Sequence, residues 1–182
     1  MEQTNNSNLL RSTMTSGAIL GVSLVIYSLI LYMTNLMFIT ALGYVSYLIM
    51  IGGIVLAIKN YREQEQGFIN YGRAVGVGML TVAFAAIIVA IFVYLLYTII
   101  DPGLIEKSLE VARNKMAAKN LSDDQIETAI NITKKFMTPG FLVISTILGN
   151  AFMGLIFSLV IAAFMKKEKP LLFNEALDSN QY

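Results

Sequence analysis

Asp101, Glu106 and Glu110 place three carboxylates within one short stretch of the chain, and paired carboxylates can act as general acid and base. No nucleophile or metal-ligand constellation accompanies them. Asp101 stands directly ahead of Pro102, and an Asp N-cap followed by Pro is an ordinary helix start, with acids in the first turn suited to the helix dipole. These three residues are therefore expected to form an interface rather than a catalytic centre. The chain has neither cysteine nor histidine, which removes disulfides, thiolate nucleophiles, imidazole bases and the usual zinc, copper and haem ligands. No catalytic residue, metal or cofactor is expected.

Asn150, beside Gly149, is the most polar residue inside an apolar stretch. Its amide could hold a ligand, but the commoner use of such an Asn is an interhelical hydrogen bond, worth about 0.6 kcal/mol. Gly154, Ser158 and Ala162 follow at four-residue spacing, as a close-packing seam would require. Gly17 with Gly21, and Gly72 with Gly76, repeat the pattern. A further candidate is the polar segment containing Tyr61, Arg62, Tyr71, Gly72 and Arg73. Its glycines, Gly72, Gly76 and Gly78, match neither the P-loop nor the dinucleotide fingerprint, and no strand precedes them, so nucleotide binding is not expected.

The elements that must position these residues are set by charge. From Ser12 to Ile58 there is no Asp, Glu, Lys, Arg or His, and two more such runs cover Ala74–Ile100 and Phe136–Met165. A helix rises about 1.5 Å per residue and the hydrocarbon layer is about 30 Å thick, so one crossing needs roughly 20 apolar residues. The first run holds two crossings and each of the others one. The expected fold is all-α, a single membrane domain with spans at 14–33, 39–58, 74–100 and 141–165. The composition agrees, with 56% hydrophobic and 14% charged residues in 182 and a mean hydropathy of +0.66. A net charge of +1 gives no sign of a nucleic-acid partner. The apolar stretch Met14–Met33 exceeds the h-region of a signal peptide and is expected to remain as span 1.

Between the spans, residues 1–11 read as a short solvated tail, and Thr34 with Asn35 marks a tight turn that makes spans 1 and 2 an antiparallel hairpin. Lys59 to Arg73 reads as a polar loop. Residues 102–137 read as an extramembrane helical hairpin. Ile105, Leu109, Ala112 and Met116 supply one apolar stripe, and Ser122-Asp123-Asp124-Gln125 is a capping box for a second helix. The hairpin turns near Lys119–Leu121, and Thr138-Pro139-Gly140 ends it.

Four crossings put both termini and the 59–73 loop on one side. That loop carries Lys59, Arg62 and Arg73, whereas the turn between spans 1 and 2 carries no charge. The positive-inside rule then places both termini in the cytoplasm.

The ordered features Lys59-Asn60-Tyr61-Arg62 after span 2, Gly67-Phe68-Ile69-Asn70-Tyr71-Gly72-Arg73-Ala74 leading into span 3, and Asp101-Pro102 at its end carry a resemblance. From about Arg11 to Lys167 the chain resembles the bacterial four-span membrane proteins grouped as domain of unknown function 4199. The resemblance implies a bacterial inner-membrane location and four helices, and supplies no activity or site residue.

The expected function is that of a small non-enzymatic accessory, scaffold or partner-binding subunit. Its expected partners are the bilayer and a second copy or another membrane protein. One alternative is a channel or transporter subunit for a neutral solute, lined by Tyr27, Tyr44, Tyr47 and Asn150. The absence of ionisable groups from the spans argues against an ion-coupled mechanism. A third reading is a lipid-acting enzyme using Asp101 or Glu106.

Overall fold

The computed structural model describes residues 2–168, with side chains from residue 9 onward. Its helices are α1 (Glu2–Met33), α2 (Thr40–Gln64), α3 (Tyr71–Leu95), α4 (Leu104–Ala117), α5 (Asp123–Phe136) and α6 (Pro139–Met165), and a π-turn at Leu96–Ile100 extends α3. Four stretches, Leu9–Met33, Thr40–Gln64, Tyr71–Ile100 and Pro139–Met165, are long and apolar enough to cross a membrane. The domain is all-helical, with α4 and α5 forming the hairpin between spans 3 and 4. The polar segment expected after the last span, from Lys169 onward, lies outside the described residues.

Helices overrun the charge boundaries, most extensively in α1 and α2. The segment expected as a solvated tail is instead the first part of α1. No Pro or Gly interrupts the chain before Gly17, so the helix propagates outward from its apolar part at little cost per residue. Likewise Lys59–Gln64 is the last part of α2 rather than loop, because Lys, Arg, Glu and Gln are good helix formers even where they end the membrane segment. The connection contracts to Glu65–Asn70. It turns through Gln66 (φ 58°) and Gly67 (φ 84°), and Asn70 Oδ1 then caps α3 by accepting from the Arg73 N–H at 2.8 Å.

The other connections follow the same chemistry. Asn35 (φ 57°) turns α1 into α2 and Asn120 (φ 59°) turns α4 into α5, since Asn tolerates the left-handed region better than most side chains. Gln125 Oε1 accepts from the Ser122 N–H at 3.1 Å in the capping box of α5. Thr138 Oγ1 accepts from the Phe141 N–H, with Pro139 in the first turn of α6.

Helix α3 is the centre of the bundle. Its most extensive contacts are with α6 and α1, and smaller ones join it to α2. The core gathers Leu20 and Leu24 from α1, Met50, Ile54 and Ile58 from α2, Val77, Val82 and Ala85 from α3, and Ala162 from α6. A smaller cluster of Leu109, Ile126 and Ile130 holds α4 to α5.

Two of the expected glycine seams hold α3 in place. A Cβ on Gly17 would meet Phe84 Cβ at 2.6 Å and the Thr81 carbonyl oxygen at 2.7 Å, and one on Gly154 would meet Val82 Cγ1 at 2.6 Å. Gly72 and Gly76 are not a seam: a Cβ at either meets nothing within 4 Å. They lie on a face of α3 that no other helix covers. Gly78 serves instead, against Ser158 and Ile54.

Candidate functional site

The polar residues of the α2–α3 connection converge at one end of the bundle. Tyr61, on the last turns of α2, is fully buried. Its hydroxyl accepts from Arg73 Nε at 3.0 Å and donates to Glu65 Oε1 at 3.2 Å. The Arg73 guanidinium also lies 6.0 Å from the Tyr61 ring centroid, at the edge of cation–π range. Arg73 Nη2 is buried and has no hydrogen-bond partner.

The end of α6 completes the arrangement. Ile69 and Lys167 exchange two backbone hydrogen bonds of 2.8 Å as an isolated antiparallel bridge, and the Lys167 ammonium lies 5.7 Å from the Phe68 ring centroid. Arg62 Nη1 donates to the Met165 carbonyl at 3.3 Å, tying α2 to the same place. Together these groups border a cleft of about 320 Å³ that opens beside Tyr61, Glu65, Asn70, Arg73 and Lys167.

Of the residues anticipated here, Tyr61 and Arg73 meet directly and Arg62 braces the cluster. Tyr71 and Gly72 face away: Tyr71 is exposed and its hydroxyl donates to the Leu159 carbonyl at 3.3 Å, while Gly72 is exposed. Glu65 and Lys167 were missed. Lys167 is remote in sequence and no local pattern links it to Arg73, whereas Glu65 stands four residues after Tyr61, on the same helix face, and that spacing was a usable signal.

Asn150 does not bridge helices. Its Nδ2 donates to the Thr146 carbonyl of its own helix at 2.8 Å. With Tyr47 and Gly149 it borders a groove of about 230 Å³ between α2 and α6. Gly149 contacts nothing that a Cβ would meet, whereas Gly154 and Ser158 are buried in the seam with α3.

At the opposite end, Asp101 is not the N-cap of α4. That position falls to Gly103, because the π-turn carries α3 through to Ile100 and closes on the Asp101 N–H, which donates to the Leu96 carbonyl at 2.9 Å. The Asp101 carboxylate accepts from Lys107 Nζ at 2.8 Å and from the Tyr32 hydroxyl at 3.4 Å. Glu106 and Glu110 are exposed. A larger cavity, about 640 Å³, lies alongside between the start of α2 and α4, bordered by Tyr44, Tyr47, Tyr97 and Lys115.

The Lys107 hydrogen bond and charge hold the Asp101 carboxyl below its ordinary value, helped by Tyr32 and opposed by desolvation, and the same contact raises Lys107. A lowered carboxyl contributes stability that is present above its unfolded value, about 3.9, and fades as pH falls through the folded one. The raised Lys107 works the other way, its contribution present below about 10.4 and lost as pH rises past its folded value. Since Lys107 is 60% exposed, the effect is expected to be small. The gap between thermal melts of wild type and Asp101→Asn should narrow from pH 7 toward pH 3; an unchanged gap would refute this linkage.

Among the described residues no group of acidic side chains is gathered as a metal would need. A family model described as Protein of unknown function (DUF4199) matches residues 15–167, a range that takes in most of the first apolar crossing, the other three whole, the Tyr61–Arg73 cluster and the α4–α5 hairpin. No curated protein and no solved structure matches the chain.

Proposed function

We propose, for a chain that belongs to the DUF4199 family and carries four membrane-length helices, a non-enzymatic role as an accessory or scaffold subunit. It acts in the bacterial inner membrane by binding another membrane protein or its own copies. The observation that carries this reading is where the spans put their polarity. Close glycine contacts pack α3 against α1 and α6, the polar groups buried without a partner at that packing are the single hydroxyls of Thr81 and Ser158, and Asn150 turns its amide back onto its own helix beside a lateral groove. A solute route would instead need polar groups converging on a central passage. Large apolar side chains, among them Leu48, Phe152 and Phe164, face outward from α2 and α6, available to lipid or to a neighbouring span.

Mass measurement of the purified protein in mild detergent should give an oligomer or a stoichiometric complex. A strictly lone monomer under gentle conditions would sink the reading. The neutral-solute alternative is tested by liposome flux, where reproducible uptake of any solute would favour it over scaffolding.

The same proposal puts both termini in the cytoplasm, supported by Lys59, Arg62 and Arg73 beside the α2–α3 connection and by the uncharged turn between α1 and α2. The absence of native cysteine makes the test clean. Exposed Lys119→Cys in the hairpin should react with a membrane-impermeant maleimide on intact cells, and exposed Glu63→Cys only after permeabilisation. The reverse pattern would invert the topology.

A further inference from the structure

We propose that the cleft between the α2–α3 connection and the end of α6 binds a phosphate group, esterified in a phospholipid headgroup or free in solution, through Arg73 and Lys167. Arg73 borders the cleft, and its Nη2 is a buried charged donor without a partner, the kind of group whose missing acceptor calls for an unseen ion or water. Lys167 borders the same cleft from the other side. Neither cation has a carboxylate within ion-pair distance among the described residues, where the one ion pair is Lys107–Asp101. Of the two acids that border the cleft, Glu65 already accepts from the Tyr61 hydroxyl, and Glu168 pairs with neither cation.

The Arg73 guanidinium and the Lys167 backbone are held before any ligand arrives, while the exposed Lys167 ammonium stays free to turn toward a bound group. Tyr61 holds Arg73 Nε, and the bridge to Ile69 pins the Lys167 backbone. A guanidinium edge with a nearby ammonium suits a phosphate better than a single-point anion, because the fork donates in parallel. Position in the membrane agrees. Arg73 immediately precedes the charge-free run of span 3, and Lys167 follows Met165 at the end of span 4. Both therefore lie where hydrocarbon gives way to headgroups, the level at which basic pockets between spans take anionic lipids. The cleft, about 320 Å³, is of ordinary ligand-pocket size.

The test is the unfolding midpoint of the full chain purified in dodecyl maltoside, a detergent without phosphate. Sodium phosphate is compared with sodium chloride at equal ionic strength, and a short-chain phosphatidylglycerol with the diacylglycerol of the same acyl length. A phosphate-bearing probe should raise the midpoint by about 5 °C, and chloride and diacylglycerol should not. Stabilisation by phosphatidylglycerol alone assigns a headgroup site, and stabilisation by inorganic phosphate as well assigns a site open to the free ion. Arg73→Gln should abolish the shift. Because Arg73 also supports Tyr61, exposed Lys167→Gln carries the decisive comparison and should at least halve it, while Lys166→Gln, outside the cleft, should leave it intact. No shift with either phosphate source, an equal shift with chloride, or a full shift in Lys167→Gln would overturn the proposal.

Discussion

Gly17→Ala is expected to lower the stability of the bundle by roughly 1–3 kcal/mol, the usual range for overpacking a close contact. The added methyl would stand 2.6 Å from Phe84 Cβ and 2.7 Å from the Thr81 carbonyl oxygen. The second of these is backbone, so no rotamer change relieves it and α1 must move away from α3. Since α3 is the element on which the other spans pack, that displacement is felt beyond one pair. Gly76→Ala is the matched control. Nothing lies within 4 Å of its would-be Cβ, and alanine is the better helix former, so the variant should equal or slightly exceed wild type. Unfolding of both in the same detergent decides the matter, and equal midpoints would mean that α1 does not dock on α3 through Gly17.

Tyr61→Phe is the second large effect. The ring is fully buried and would stay packed, but the hydroxyl that accepts from Arg73 and donates to Glu65 is lost. Hydrogen bonds to charged groups contribute about 1.5–3 kcal/mol, and the loss should fall in that range because Arg73 would keep a second buried donor unpaired. A double-mutant cycle with Arg73→Gln should be strongly non-additive, as expected for residues sharing one contact. Additive losses would show that the two side chains act independently, and the cluster would no longer be a unit.

The two predictions differ in how far the sequence announced them. Gly17 with Gly21 and Gly72 with Gly76 have the same spacing, yet only the first pair is packed. A four-residue repeat identifies a helix face and carries no information on whether another helix covers it. Tyr61 and Arg73 stand out by the polar segment they belong to. Their contact is not legible because the stretch between them reads as a long loop, whereas α2 runs on to Gln64 and a short turn folds Arg73 back beside Tyr61. Asn150 shows the converse: a polar residue in an apolar helix invites a partner across the bundle, and the nearest carbonyl, on its own helix, takes it instead.

What the sequence determined by itself is the solvent of each segment. Runs without charge over Ser12–Ile58, Ala74–Ile100 and Phe136–Met165 suffice for four crossings, because the cost of placing charge in hydrocarbon acts residue by residue. The turn and cap residues Asn35, Gly67, Ser122 and Thr138 likewise act locally, through φ or through one short hydrogen bond. The tertiary structure decided which helix sits in the middle, which glycines are contacts, and that Lys167 shares a cleft with Arg73. Those outcomes depend on the mutual rotation and depth of whole helices. In a bilayer every face of a span is already apolar, so the hydrophobic pattern that orients a helix in water does not choose among them.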